Sequence, residues 1–555
     1  MVTPDPGRRG RGRPLRQDAY QVDTAGRVTS RTRAAWLLRT SRLHGSFPEY
    51  RSLTRFARAL RHAGVERALS TISRIETGAV AASFELVRGY EDVLRLPAYS
   101  LVSVLDTNFR YRASRFEARP LLRRLGQEPQ AEYRRFDELV QRASSNELMS
   151  GGAWDELTAI IADRPNLVVS PRSAWLGLMD RLLAEEMISD GVPWMQRFEA
   201  VNRMLAHPMI GLDALGALRA TVDDRGVQSL VGTACLFDGS AEPQAADEVV
   251  RHMSQPPDDR VYKGALMACV RKLRYGQFTG TQLGMLSNLI AEVLLDQGHL
   301  DDETGALAVS VMRQLPAQAH AGLGSRMLRR IARDGMHVSV IAENRLVGGK
   351  AGRVMAERIA NYASARTPTA WDGYIDDVLP VLIDEMLFDP VFDARLYAAC
   401  LIHSSPYRAT VAEALGLELT SARWSGNLAW VTAVFEALRK LGGQAERAKV
   451  ERFVTGRGVP GAVADAAAYA LGHIGGASSS RFWREAFGLH LQQWVRSASP
   501  VSESILDRLV YAAGISEDTA VLQEIRADHC VPSQTRACAS WWLGQPEKIR
   551  RSART

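Results

Sequence analysis

The alternation of apolar and polar positions between residues 69 and 78 predicts a short helix with one buried face. The segment reads LSTISRIETG, and Ile72 and Ile75 are three residues apart, so that they share one face of a helix. The side chains expected on the opposite face are Thr71, Ser73 and Arg74. Ser70 can cap the N-terminus because its hydroxyl accepts an unpaired backbone N–H, and Gly78 suits the position after the last turn.

Three neighbouring segments show the same helical spacing of apolar residues. They are AAWLLRTSRLHG at 34–45, SLTRFARALRHAG at 52–64 and SFELVRGYEDVLRL at 83–96. Together with LSTISRIETG they resemble the XRE family, the Cro and phage-repressor type of helix-turn-helix protein. The resemblance implies an all-α bundle that binds double-stranded DNA, usually as a homodimer on paired half-sites. The alternative is an ordinary five-helix bundle over residues 34–105 with no role in DNA binding.

The resemblance implies a role for both faces of the third helix. Its expected DNA-contacting residues are Ser70, Thr71, Ser73 and Arg74. In the family, an arginine of the first helix and a glutamate at the end of the third commonly form a structural ion pair, which maps to Arg42 and Glu76. Two features depart from the family pattern. More residues separate Ala57 from Ile72 than separate the corresponding positions in the family, so that the turn GVERA carries an insertion. The glutamines that are common in the family at the starts of the second and third helices are absent.

A second nucleic-acid signal lies in GRRGRGRPLRQ at residues 7–17. Its core resembles an AT-hook, in which a narrow arginine–glycine–arginine strip enters an A·T-rich minor groove: Arg11, Gly12, Arg13 and Pro14. A narrow minor groove has an enhanced negative potential that attracts arginine, and glycine lets the backbone approach the groove floor. The alternative is a disordered basic arm that contacts DNA through charge alone.

The distribution of charge favours the same end of the chain. Residues 1–120 contain 22 arginines, no lysine and 11 acidic residues, a net charge of +11. Because the whole chain of 555 residues carries +7, the remainder carries −4. This distribution argues against a body that wraps DNA and favours a protein, peptide or small-molecule partner there.

From about residue 145 onward the sequence predicts one helix after another. Several segments are self-similar: DDRVYKGALMACVRKL, FDARLYAACLI, NLAWVTAVFEALRKLGG, GAVADAAAYALGHIGG and SQTRACASWWLG. Leucines at Leu401, Leu438, Leu471, Leu509 and Leu543 follow one another at spacings of 37, 33, 38 and 34 residues. Such a period built from helix pairs indicates an α-solenoid, and GAVADAAAYALGHIGG in particular resembles a HEAT repeat. An irregular all-helical domain is the alternative.

These signals divide the chain into five predicted parts. They are a disordered basic arm over 1–32, a helix-turn-helix domain over 33–110, a helical linker over 111–145, a HEAT-like sensor or interaction region over 146–545, and a basic tail over 546–555.

Catalytic and metal-binding patterns do not meet the chemistry they would require. GGKAGR at 348–353 has alanine after the lysine, where a phosphate loop needs serine or threonine to hold magnesium. His529 and Cys530 are adjacent and would point in different directions on a helix. Five scattered cysteines without a CxxC pair suggest reduced thiols. We therefore expect no enzymatic activity, no metal and no cofactor.

The sequence has no apolar run that approaches the roughly 18 residues of a membrane span, which predicts a cytoplasmic protein. Its expected function is that of a sequence-specific transcriptional regulator whose helical body senses a ligand or partner and mediates assembly. The alternative is a DNA-tethered interaction scaffold, of the defence or chromosome-organising type, with little sequence specificity.

Overall fold

The structure is a computed structural model that describes residues 27–112, 129–167, 171–224, 227–295, 302–317, 345–347, 349–367, 376–420 and 428–555. Within these ranges the chain forms 27 α-helices and no β-strand. The all-α fold predicted from apolar spacing is therefore confirmed for the described residues. No helix in the same ranges is both long and apolar enough to cross a lipid bilayer.

The first five helices form a bundle around a shared apolar core. They are α1 (Ser30–His44), α2 (Leu53–His62), α3 (Leu69–Glu76), α4 (Phe84–Val93) and α5 (Ser100–Arg112). Phe56, Ile72 and Leu86 are fully buried in this core. Helix α1 begins ahead of the expected start at residue 34, because the Thr29 hydroxyl accepts the Thr32 backbone N–H at 3.3 Å and caps the helix.

The prediction that Ser70 caps α3 is wrong. The helix begins at Leu69, and the extended residue before it is Ala68, which has no side chain that could cap. Ser70 lies in the first turn and is exposed. The chain enters α3 along an exposed turn, where water can bond the first backbone N–H groups, so that no side-chain cap is required.

Ten further helices form the first half of the body. They are α6 (Pro129–Ser144), α7 (Gly151–Ala162), α8 (Arg172–Ile188), α9 (Gly191–Ala206), α10 (Gly211–Asp223), α11 (Leu230–Cys235), α12 (Pro243–Ser254), α13 (Asp259–Arg274), α14 (Gly280–Leu295) and α15 (Asp302–Gln314). Helix α6 packs against α7 and α8, so that the second part of the expected linker 111–145 belongs to the body.

The second half of the body contains twelve helices. They are α16 (Gly349–Arg366), α17 (Leu379–Phe388), α18 (Phe392–His403), α19 (Arg408–Thr420), α20 (Leu428–Leu441), α21 (Gln444–Thr455), α22 (Gly461–Leu471), α23 (Ser480–Ser497), α24 (Pro500–Ile515), α25 (Thr519–Ala527), α26 (Ser533–Gly544) and α27 (Glu547–Ala553).

From α18 onward these helices stack in two rows. Helices α18, α20, α22, α24 and α26 pack side by side in one row, and α19, α21, α23 and α25 form the other. Small residues allow neighbouring helices within a row to pack closely. A Cβ on Gly514 of α24 would lie 2.2 Å from the ring of Trp542 on α26, so that only glycine fits there.

The end of the chain packs back onto the start of the body. Helix α27 contacts α8, the Gly151 backbone N–H donates to the Thr555 carbonyl at 3.0 Å, and the Arg197 guanidinium donates to the Ser552 carbonyl. Residues 546–555 are thus not the basic tail expected from the sequence. Ile549, Ser552 and Ala553 are buried, whereas Glu547 and Arg551 are exposed, so that the segment is an amphipathic helix.

Candidate nucleic-acid interface

Helix α3 separates its apolar and polar residues as the spacing predicts. Ile72 is fully buried and Ile75 is 5% exposed, and both contribute to the core of the bundle. Of the residues expected to contact DNA, Ser70, Ser73 and Arg74 are exposed and Thr71 is half-buried. The helix therefore presents a polar surface with one arginine to solvent.

An ion pair fixes the C-terminal end of α3 to the rest of the bundle. Arg42 of α1 donates from Nε and Nη2 to the two carboxylate oxygens of Glu76, each at 2.6 Å. The Tyr90 hydroxyl also donates to Glu76, at 2.8 Å, and Arg42 Nη1 donates to the carbonyls of Tyr50 and Arg51. Because Arg42 and Glu76 are both nearly buried, the pair holds four segments of the bundle in one arrangement.

A glycine ends α3 and places the next segment. Gly78 has φ +75°, and its N–H donates to the Ile75 carbonyl at 3.0 Å, while the Ala79 N–H donates to the Arg74 carbonyl at 2.8 Å. This hydrogen-bond pattern is a Schellman motif, which favours glycine because the left-handed region strains other residues. The prediction that Gly78 follows the last turn is therefore confirmed.

The insertion between α2 and α3 is a structured turn over residues 63–68. Gly64 has φ +83°, and the Val65 N–H donates to the Leu60 carbonyl at 2.9 Å, which ends α2 in a second Schellman motif. Val65 packs close to Gly89 of α4, where an added Cβ would lie 2.9 Å from a Val65 methyl carbon. The turn is thus anchored at its start and exposes Glu66, Arg67 and Ala68.

Exposed arginines also lie on α2, which packs against α3, and on the turn between the two helices. Those of α2 and the turn that reach solvent are Arg55, Arg58, Arg61 and Arg67. Arg61 lies 3.5 Å from Glu66, and both side chains are largely exposed, so that this pair is weak. No described residue accepts a hydrogen bond or forms an ion pair with the guanidinium of Arg55, Arg58 or Arg74. These cations are available to an external anion such as phosphate.

One exposed residue at this surface is missed by sequence reasoning. Leu69 is 44% exposed at the start of α3, although its spacing from Ile72 predicts burial. It is exposed because the extended turn before it runs over the surface. An apolar side chain at this place could contact a thymine methyl group in a major groove.

The opposite side of the bundle is docked on the body. Trp36 of α1 donates from Nε1 to Asp376 at 2.9 Å and stacks with Tyr407 at a ring-centroid distance of 6.4 Å. Arg33, which is fully buried, and Arg112 at the end of α5 both donate to the carboxylate of Glu385 on α17. The bundle is therefore joined to the second half of the body through buried charges.

Burial and neighbouring charges shift the pKa values of Arg33 and Glu385 in opposite directions. Burial lowers the pKa of Arg33 to about 10, and the Glu385 carboxylate opposes the shift. Burial alone would raise the pKa of Glu385, but the guanidiniums of Arg112 and Arg33 outweigh it and hold that pKa below its ordinary value. The carboxylate thus remains ionised between two arginines, which is the arrangement required of a buried ion pair.

The same bundle also contacts the first half of the body. Arg110 Nε donates to Glu199 of α9 at 2.9 Å, and the Tyr275 hydroxyl donates to the Arg110 carbonyl at 2.8 Å. The arm residues Arg11, Gly12, Arg13 and Pro14 lie outside the described residues. A search of known protein families finds no match to this chain, and a search of curated proteins finds none either.

Proposed function

We propose that this chain is a sequence-specific DNA-binding transcriptional regulator of the XRE helix-turn-helix type. One observation carries the proposal. Helix α3 buries Ile72 and Ile75, and it turns Ser73 and Arg74 outward beside unpaired arginines of α2. A recognition helix needs this division, because its apolar face holds it on the bundle while its polar face contacts base edges.

In this proposal α3 enters the major groove. Arg74 donates bidentately to a guanine, and Ser70, Thr71 and Ser73 contact base edges or the neighbouring backbone. Arg55 and Arg58 meet phosphates, which position the helix but carry little sequence information. The arm residues Arg11, Gly12, Arg13 and Pro14 enter an adjacent A·T-rich minor groove. The resemblance further implies a homodimer on half-sites about one helical turn apart.

The stacked helices of the body are proposed to be a HEAT-like sensor of a ligand or protein partner. Their two-row packing from α18 to α26 supports this interpretation, because stacked helix pairs expose long surfaces for partners. The docked bundle supports a regulatory link. Since Arg33 and Arg112 share Glu385 of α17, a change in helix packing there would alter the support of the DNA-contacting bundle.

Selection of binding sites from random double-stranded DNA by the full-length chain tests the proposal. A regulator should enrich a short palindromic site, with specific affinity at least a thousandfold above its non-specific affinity. The scaffold alternative predicts weak binding without an enriched sequence and with a steep salt dependence. That second outcome would contradict the proposal.

A deletion of residues 1–26 separates the arm from the bundle. The deletion preserves Arg27, which pairs with Asp389 at 2.9 Å, and the Thr29 cap of α1, so that the bundle retains its contacts. If α3 reads the sequence, the truncated chain should enrich the same site with lower affinity. Loss of all sequence preference would assign specificity to the arm instead.

A further inference from the structure

A cavity of about 870 Å³ lies between the two halves of the body. The segment Pro257–Lys263 lines one side, and helices α20, α22 and α24 line the other. Small residues on the facing helices leave this space open: Ala429, Ala433, Ala462 and Ala466. Its volume falls within the range of about 300–1,000 Å³ that is typical of small-molecule sites.

Arg439 of α20 lines this cavity with an unsatisfied guanidinium. The residue is only 9% exposed, and its Nε is buried without a hydrogen-bond partner. Across the described part of the chain, no group accepts a hydrogen bond from this guanidinium or forms an ion pair with it. Its contact within the cavity is the ring of Tyr469, whose centroid lies 4.0 Å from Cζ. The carboxylate of Glu436 favours the charge of Arg439 but accepts no hydrogen bond from it, so that an occupant with an acceptor for its buried N–H groups would be favoured.

Arg395, which lines the same cavity, is an arginine whose guanidinium does have hydrogen-bond partners. Arg395 donates from Nε to Glu436 at 2.9 Å and from Nη1 to the Asp389 carbonyl at 2.8 Å. Glu436 is the carboxylate nearest to Arg439 in sequence on α20, and it is already engaged. Arg439 therefore differs from Arg395 in partners rather than in burial.

The carboxylates of α22 and α24 that line the cavity are also engaged by protein donors. Ser504 donates to Asp465 at 2.6 Å, and Thr535 donates to Asp507 at 2.6 Å. Arg508 also stacks on Tyr469, with its Cζ 4.3 Å from the ring centroid. Its Nε lies 4.0 Å from a carboxylate oxygen of Asp465. The cavity thus combines one unsatisfied guanidinium, a second guanidinium in reach of solvent, an aromatic ring and an alanine-lined surface, while Asp258 and Asp259 lie on its opposite side.

We propose that this cavity binds a small organic anion, whose carboxylate or phosphate group pairs with Arg439 and whose apolar or aromatic part lies against Tyr469 and the alanines. The planar guanidinium matches both kinds of anion bidentately. This site gives the proposed sensor a class of ligand, and its regulatory role rests on the function proposed above. Binding itself requires no DNA, so that the two proposals can fail separately.

Thermal unfolding and calorimetry of the full-length chain without DNA test the site, with benzoate, phenyl phosphate and inorganic phosphate as probes. At least one organic probe should bind and raise the unfolding temperature. Stronger binding of phenyl phosphate than of benzoate identifies a phosphate ligand, and the reverse order identifies a carboxylate ligand. Inorganic phosphate should bind more weakly than phenyl phosphate because it lacks the aromatic part. Absence of binding by all three probes would overturn the proposal.

Two variants locate the binding. Arg439→Gln should weaken it roughly tenfold to a hundredfold, as expected for a charge-assisted hydrogen bond, and should leave the empty protein as stable as before or more stable. Ala466→Leu retains the cation but fills the space, and should also weaken binding. Arg74→Ala, at the DNA surface, should bind the probe as the unaltered chain does. Unchanged binding in both Arg439→Gln and Ala466→Leu would overturn the assignment.

Discussion

The two sides of the N-terminal bundle use the same residue type in opposite ways. Arg33 is buried against Glu385 on the docked side, and Arg42 is buried against Glu76 inside the bundle. On the α2–α3 side, Arg55 and Arg74 are exposed, and no described residue pairs with either guanidinium. A buried arginine needs an internal carboxylate to offset its loss of hydration, whereas an exposed one keeps its water and its capacity for an external anion.

This difference shows how the bundle can combine rigidity with recognition. The docked side fixes α1 and α5 against the body, and Arg42 holds the end of α3 through Glu76. Arg74 therefore projects from a helix whose position is set by buried contacts. A positioned helix loses less conformational freedom when it binds, which favours specific contact.

The largest effect is expected at the docked side, from Glu385→Leu. The substitution leaves Arg33, which is fully buried, without its carboxylate and also removes the partner of Arg112. Removal of one member of a buried ion pair costs about 3–5 kcal/mol. Urea unfolding of the full-length variant should show a decrease in the free energy of unfolding of this size.

Glu524→Leu is the matched control for that measurement. Glu524 pairs with Arg484 at 2.8 Å, but both side chains are about half exposed, and solvent-exposed pairs contribute little to stability. If both substitutions destabilised the protein equally, the docked side would not be more strongly held than an ordinary surface.

The second effect concerns the exposed side, where Arg74→Ala should weaken binding to the selected site by about 1–3 kcal/mol and relax the preference at one base pair. The stability of the protein should not change, because the side chain has no described partner. The measurement compares affinities for the selected site and for all single-base variants of it.

Arg526→Ala provides the control, since Arg526 is an exposed arginine of α25. It should alter neither affinity nor base preference. A uniform loss of affinity for every sequence in Arg74→Ala would show that Arg74 contacts phosphate and that the bases are read elsewhere on α3.

The sequence alone predicts the exposed side better than the docked side. The three-residue spacing of Ile72 and Ile75 sets which face of α3 is buried, and this local rule holds in the structure. The pair of Arg33 and Glu385 joins residues 352 positions apart, and nothing in the local pattern relates them. A spacing rule describes one helix, whereas docking depends on how distant helices meet.

The same limit explains the two wrong predictions at the helix ends. Ser70 has the chemistry of a cap, but the exposed turn before it starts the helix at Leu69. Residues 546–555 have a basic composition typical of a tail, yet Ile549 and Ala553 are buried in a helix that packs against the body. The unsatisfied guanidinium of Arg439 is likewise invisible in sequence, because its lack of an acceptor depends on where neighbouring side chains point.

A third effect, on acid stability, is expected where His473, after α22 in the second half of the body, meets Asp190, between α8 and α9 in the first half. Burial lowers the pKa of His473 to about 4, although Asp190 at 3.3 Å opposes the shift. The unfolded chain, with an ordinary value of 6.5, binds this proton first as the pH falls. The contribution is therefore fully present above pH 6.5 and is lost as the pH falls toward 4, by about 2 kcal/mol between pH 7 and pH 5.

Urea unfolding at several pH values checks this, with His473→Gln as the variant. Its stability should decrease less between pH 7 and pH 5 than that of the unaltered chain, while His529→Gln, at an exposed position, should behave like the unaltered chain. An identical decrease in all three proteins would show that His473 is not held neutral in the folded protein.

The smallest effect should come from the arginines of α2. Arg55→Ala and Arg58→Ala each remove one exposed cation, and each should reduce the slope of log affinity against log salt by about 0.9 if that cation meets a phosphate. Base preference should stay the same, because phosphate contacts carry no direct sequence information. Titration at four salt concentrations, with Arg526→Ala as the control, measures the slope. If neither α2 variant changed it, these arginines would lie away from the DNA backbone, and α3 would have to approach the groove without α2, contrary to the helix-turn-helix mode of binding.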